Sequence, residues 1–224
     1  MADDRINVTV RIRPQSETEL ADRESLAVER LDERSLTLRD YNGAIKSEYD
    51  GVFGMDASNE DVFGAAVQPM LTQALEGKNA TLFAYGQTGS GKTYTIEGMM
   101  ARAADFVFAA IKETPDREFL LKLSAVEVYN EVVHDLQQSS HERMELVDTG
   151  SGKLVVKNLR EEPLASALQL RKRLKRVREN RRVRYCYRAE PQRVHTPARH
   201  LKPVCPCCIV WCCHPAVHIT RVAE

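Results

Sequence analysis

The residues best suited to chemistry are Gly86-Gln87-Thr88-Gly89-Ser90-Gly91-Lys92-Thr93. They fit the phosphate-binding pattern G-x-x-x-x-G-K-[ST]. Gly86, Gly89 and Gly91 permit backbone conformations that a side chain blocks. Consecutive N–H groups can then turn inward around an anion. Lys92 carries a charge suited to β- and γ-phosphates, and the Thr93 hydroxyl is a ligand type for Mg²⁺. The bland alternative is a Gly-rich turn that binds nothing, and the flanking sequence argues against it. Residues 80–85, Ala-Thr-Leu-Phe-Ala-Tyr, are predicted to form a short buried strand before the loop. Tyr94-Thr95-Ile96-Glu97 opens a predicted helix whose positive end meets the phosphates.

The elements that must position this loop alternate between strand and helix. Asn7-Val8-Thr9-Val10-Arg11-Ile12-Arg13 reads as a strand stopped by Pro14, with Val8, Val10 and Ile12 on one face and the arginines on the other. A weak hairpin is expected around Ser35-Leu36-Thr37-Leu38, and a turn at 49–54. Residues 61–75 are apolar at helical spacing, with Pro69 expected to kink the helix and Gly77 to end it. Helical spacing recurs at 99–112. Residues 119–129 read as one long strand, 132–136 as a short helical piece and 154–156 as a further strand. Residues 166–180 form a predicted basic amphipathic helix. The order implies an α/β sheet with helices on both faces.

Composition divides the chain. Of 224 residues, 43% are hydrophobic, enough for a core, while 29% are charged and 6% aromatic. The formal net charge is zero, yet residues 1–170 carry 18 Lys+Arg against 29 Asp+Glu, and residues 171–224 carry 14 against 3. All six cysteines lie between Cys186 and Cys213. The acidic, polar start is no signal peptide, and no apolar run reaches the roughly 18 residues of a membrane span. The expected class is a soluble cytoplasmic protein without a membrane partner.

Beyond the loop, the chain from about Asn7 to Val183 resembles the first part of the kinesin motor domain. Gly86 to Thr93 with the trailing Tyr94-Thr95 is similar to that family's nucleotide loop. Val10-Arg11-Ile12-Arg13-Pro14 resembles its first strand, Tyr49-Asp50-Gly51-Val52-Phe53 its F-D-x-V-F, and Ser124 to Glu131 with Asp135-Leu136 its S-x-x-E-I-Y-N-E-x-x-x-D-L. Glu179-Asn180-Arg181-Arg182-Val183 is similar to the segment ahead of its first switch loop. The resemblance implies a three-layer α/β/α P-loop NTPase fold over residues 1–183, present in part, with a poorly structured tail over 184–224. It implies ATP on Gly86, Gln87, Thr88, Gly89, Ser90, Gly91, Lys92 and Thr93, Mg²⁺ on Thr93, and an adenine side made by Arg11, Arg13, Pro14 and Tyr94. It implies ATP hydrolysis coupled to movement along microtubules, and a cytoskeletal location.

The departures carry equal weight. After Val183 the family's N-x-x-S-S-R-S-H is missing, and Thr196-Pro197-Ala198-Arg199-His200 is its nearest look-alike. D-x-A-G-S-E occurs nowhere in the 224 residues. The stretch between Gly98 and Ala103 is short, which predicts that the surface loop interrupting the helix there is trimmed. Phosphoryl transfer rests on positioning and charge stabilisation, so the expectation is weak ATP binding, low stability, and little or no microtubule-stimulated turnover. Two readings follow: a kinesin-type ATPase, or a non-catalytic ATP-binding remnant or interaction module. An unrelated P-loop ATPase or GTPase is disfavoured by the R-x-R-P strand and the E-V-Y-N-E stretch. No heptads follow the motor-like region, so self-association has no support.

Cys205-x-Cys207-Cys208-x-x-x-Cys212-Cys213-His214-x-x-x-His218 has zinc-ligand residue types, but its adjacent Cys pairs lack clean finger spacing. Basic residues without interleaved aromatics give no nucleic-acid pattern. The abrupt turn to Arg, Cys, Pro and His is better read as a frame change in a GC-rich coding stretch, a retained intron or a gene-model error, with zinc binding and an unassigned tail as the alternatives. Another frame of the nucleotide sequence after Val183 is then expected to read on toward S-S-R-S-H and D-x-A-G-S-E. If no frame does so, the frame-change reading is wrong.

Overall fold

The structure is a computed structural model, and it describes residues 6–23, 25–40, 43–140, 142–150, 152 and 154–181, with the backbone of 220–221. The chain opens with β1 (Thr9–Arg11), α1 (Glu17–Ala21), β2 (Val28–Arg30), β3 (Ser35–Asp40), β4 (Gly43–Glu48) and β5 (Gly51–Phe53). β1 and β5 pair in parallel, Val10 opposite Val52, while β2, β3 and β4 form an antiparallel meander. The expected hairpin at 35–38 is thus the middle strand of three.

Ser58 caps α2 (Asn59–Val62), a π-helical segment follows at Phe63–Val67, and α3 (Gln68–Leu75) completes the run. Pro69 explains the middle segment. It has no N–H to donate and its ring crowds the carbonyl four residues earlier, so the helix widens upstream of it. Gly77, at φ 98°, ends the run. Its N–H donates to the Ala74 carbonyl and that of Lys78 to the Gln73 carbonyl, satisfying two exposed acceptors of the last turn.

α4 (Lys92–Lys112) is unbroken over 21 residues, in keeping with a trimmed loop between Gly98 and Ala103. The long strand expected at 119–129 is two, β6 (Phe119–Leu123) and β7 (Val126–Tyr129). The chain leaves one sheet for another at Ala125, which is buried against Leu136 and Val177. The helical piece expected at 132–136 is instead a strand, β8 (Val132–Asp135). Asn130 and Glu131 both take positive φ, 49° and 62°, and make a two-residue turn that folds β8 back on β7. Four residues are too few for periodicity to separate helix from strand, and the Val132-Val133 pair favours the pleat.

The remaining elements are β9 (Arg143–Met144), β10 (Leu146–Asp148), β11 (Leu154–Val156), β12 (Glu162–Leu164), α5 (Ala167–Asn180, capped by Ser166) and β13 (Thr220–Arg221). The class is mixed α/β. Among the described residues the strands lie in five small sheets, ordered β1-β5, β2-β3-β4, β7-β8-β9, β10-β11 and β12-β6-β13, rather than in one continuous sheet. The strand expected at 80–85 is not formed: these residues are irregular, with Phe83 57% and Tyr85 80% exposed. A strand is a pairing, and among the described residues nothing lies alongside 80–85 to complete a ladder. Ala80, Leu82 and Ala84 are half-buried, and Leu82 packs against the group around Val62 and Met99. The cysteine-rich tail expected at 184–224 lies outside the described residues except for the short pairing of Thr220–Arg221 with Phe119–Leu120.

α4 is the spine. On one side Met99 packs with Val62, Phe63 and Val67. On the other, Ala104 and Val107 pack with Leu121, Leu123, Leu164 and Leu170. Phe106 meets Phe63 edge to face, centroids 6.2 Å apart. α5 is drawn onto α4 by Leu170 and by the ion pairs Arg171–Asp105 and Arg178–Glu97. Met99, 2% exposed, is the tightest joint between α4 and the α2–α3 run. Met99→Ala is expected to cost about 2–5 kcal/mol of unfolding free energy, measurable as a lowered urea midpoint with an unchanged slope.

Candidate phosphate-binding site

The loop at 86–91 takes its shape from its glycines. Gly86, Gly89 and Gly91 have φ of 151°, 85° and 94°, values that side-chain-bearing residues rarely adopt. Gly86 is also confined: a Cβ there would lie 2.6 Å from Ser90 Oγ. The Ser90 N–H donates to the Gln87 carbonyl at 3.1 Å and tightens the turn. Lys92 Nζ reaches back to the carbonyls of Gly86, 2.6 Å, and Gln87, 2.8 Å, which sets its charge at the mouth of the loop.

Helix capping separates this loop from an ordinary turn. Ser16, Ser58 and Ser166 accept from the first-turn N–H groups of α1, α2 and α5. α4, the longest helix described, begins on Gly91 and has no side-chain cap. Its leading N–H groups are therefore left for an external acceptor at the positive end of the helix dipole. Thr93 is exposed in that first turn. Donors, one ammonium and a hydroxyl share one end of one helix, which is the donor set that a phosphate and its Mg²⁺ require.

The residues expected on the adenine side separate into two groups. Arg11, from β1, reaches α4: its guanidinium carbon lies 5.2 Å from the Tyr94 ring centroid, a cation–π contact. Arg11 Nη1 donates to Asn59 Oδ1, 2.5 Å, and Thr95 Oγ1, 3.2 Å, and Nη2 to the Ala57 carbonyl, 2.9 Å. Arg13 is directed to α1 instead. Its two Nη atoms donate to Glu19 at 2.7 and 2.5 Å, and Pro14, its neighbour, is exposed. Asn59 is expected from the sequence only within a capping stretch at 56–60 and Thr95 only beside the loop, and neither they nor Glu19 are marked there as partners of an arginine. The signals for two of them were the serines three residues before Glu19 and one before Asn59, each marking a helix start. A surface cavity of about 330 Å³ lined by Val8, Arg34, Glu48, Tyr49 and Asp50 contains no residue of the loop.

A glycine loop opening into an uncapped helix, within an α/β chain, is the local arrangement that the P-loop pattern describes. Residues 11–196 match the model of the kinesin motor domain, and the chain belongs to that family. It is 36% identical over 185 residues to the kinesin-like protein KIN-7A of Oryza sativa subsp. japonica, covering 81% of this chain and 19% of that protein. It is 38% identical over 176 residues to the kinesin-like protein NACK1 of Nicotiana tabacum, covering 75% and 18%. The chain thus spans about a fifth of the length of the curated relatives it matches. The family match runs to residue 196, beyond the Val183 boundary expected from the motifs; residues 182–196 lie outside those described.

The Arg13 pair has a definite pH dependence. Glu19 is lowered from 4.5 to about 2, first by the Arg13 guanidinium and then by the Ser16 N–H. A lowered carboxylate pKa means that the link is intact above pH 4.5 and lost as pH falls through about 2. The Glu19 side-chain carboxyl carbon is expected to titrate near 2 by NMR, and to move back toward 4.5 in Arg13→Ala.

Proposed function

We propose that this chain carries the nucleotide-binding part of a kinesin-type ATPase, with ATP as ligand, Mg²⁺ as its ion and microtubules as the partner. The observation that carries the reading is the uncapped start of α4 behind three glycines of positive φ, with the Lys92 ammonium at the loop mouth. Gly86 to Gly91 would wrap the phosphates with backbone N–H groups. Lys92 would exchange its two carbonyl acceptors for phosphate oxygens, and Thr93 would hold Mg²⁺, which when bound neutralises charge on the β- and γ-oxygens. Arg11 and Tyr94 would flank the base. The three-layer P-loop arrangement of the family is part of this proposal, since the strands described here stand in separate small sheets.

Movement requires more than binding. The switch sequences N-x-x-S-S-R-S-H and D-x-A-G-S-E are not among the 224 residues. That observation favours a second reading for this polypeptide by itself: it holds ATP without coupling hydrolysis to the filament. Two similar proteins are named for organelles, kinesin-like protein KIN-7K, chloroplastic, of Oryza sativa subsp. japonica and kinesin-like protein KIN-7D, mitochondrial, of Arabidopsis thaliana. A microtubule-associated location is the proposal here.

Among the described residues no helix is long and apolar enough to cross a membrane. The purified 224-residue chain is expected to bind Mg·ATP, with affinity lowered at least about tenfold in Lys92→Ala. Phosphate release is expected to be slow and unchanged by microtubules. Release stimulated by microtubules and abolished in Lys92→Ala would establish the ATPase reading over the binding-only one. Equal ATP affinity in the two proteins would remove the loop from the site.

A further inference from the structure

Arg11 does not stand free on its strand. Its guanidinium lies where three elements meet: β1, which carries it, the start of α2, and the second turn of α4. Asn59 is the central contact. Its Oδ1 accepts from Arg11 Nη1 at 2.5 Å, and its amide lies over Gly98 of α4. A Cβ on Gly98 would fall 2.2 Å from Asn59 Nδ2 and 2.5 Å from its Cγ, so the amide occupies space that only glycine leaves. The backbone of Asn59 is set from the other side by the Ser58–Asp61 capping box. There the Ser58 N–H donates to Asp61 Oδ2 at 2.8 Å, and the Asp61 N–H donates to Ser58 Oγ at 3.1 Å. The same box feels the arginine. Asp61 is held below its usual carboxylate range by its bonds to Ser58, with a further contribution from the Arg11 charge.

Resting on the nucleotide reading above, we propose that Asn59 is a positioning residue for the base half of the site: wedged between Gly98 and Arg11, it fixes the guanidinium against the Tyr94 ring so that the pair receives the base. Thr95 Oγ1 and the Ala57 carbonyl complete the hold. Tyr94 is 64% exposed, and the Arg11 guanidinium carbon lies 5.2 Å from its ring centroid in a cation–π contact, so the tyrosine side of the pair is open to solvent. An arginine on a flexible stem loses side-chain freedom on meeting a planar ligand. Three acceptors that have already immobilised it remove that cost before binding. Asn59 touches neither Lys92 nor the glycine loop by any hydrogen bond, so its effect belongs to the base and not to the phosphates.

The test compares Mg·ATP with Mg·tripolyphosphate, which lacks base and ribose, by calorimetry on the 224-residue chain. Asn59→Ala is expected to weaken ATP about fivefold, from the loss of one charge-assisted bond, and to leave tripolyphosphate unchanged. Asn59→Asp keeps the acceptor and is expected to retain wild-type ATP affinity. Gly98→Ala displaces the amide and is expected to resemble Asn59→Ala. Circular dichroism melts establish whether each variant is folded. Equal weakening of both ligands, an effect of Asn59→Asp as large as that of Asn59→Ala, or unchanged ATP affinity in Asn59→Ala would each overturn the inference while the nucleotide reading stands. A wild-type chain that binds neither ligand would overturn that reading, and this inference with it.

Discussion

The burial of α4 on two sides governs the rest of the structure. Met99 faces the α2–α3 run, while Ala104 and Val107 face β6, β12 and α5. A helix held on both sides cannot slide or rotate without exposing one apolar group or the other. Its first turn is therefore fixed in space, and so is the loop that must enter it. Ala104 is wholly buried, where a larger side chain would force neighbouring elements apart. The loop geometry at residues 86–93 is thus a consequence of packing several turns away, as well as of the glycines themselves.

A second constraint acts at the near end of α4. β1, α2 and α4 come from distant parts of the chain and converge on one guanidinium. The Arg11–Asn59 bond spans 48 residues and the Arg11–Thr95 bond 84. Gly98 permits the approach, because the Asn59 amide comes closer to α4 than a Cβ allows. Arg13, two residues along the same strand, is bound instead to Glu19 at the α1 start. Two arginines with the same expected role therefore have different structural partners. The difference arises from which helix terminus lies within reach of each, and β1 alone does not specify that.

The strands show where local pattern is insufficient. β3 and β4 pair over six residues, and Leu36 is buried between them and the rest, so a weak sequence signal was enough to find a strand. Residues 80–85 have a stronger apolar pattern and form no strand. Apolar residues lower the cost of burying a strand, but its backbone polar groups still need neighbours. β8 reversed in the other direction: a run read as helical became extended, because two left-handed residues before it allowed a tight return onto β7. Both errors concern long-range or turn-specific partners, which residue spacing does not encode.

Taken alone, the sequence determined the loop and its helix, the disturbance of the 59–75 helical run around Pro69, the basic helix at the C-terminal end of the described region, the α/β class and the kinesin family. Each of these depends on backbone torsion, capping or side-chain type within a few residues, so short-range order carries it. Tertiary structure alone decided that Arg11 and not Arg13 meets α4, that Asn59 and Gly98 secure it, that 119–129 divides between two sheets, and that the strands among the described residues do not join into one. These outcomes depend on which surfaces are brought together across dozens of residues, and that is set by packing the whole chain at once.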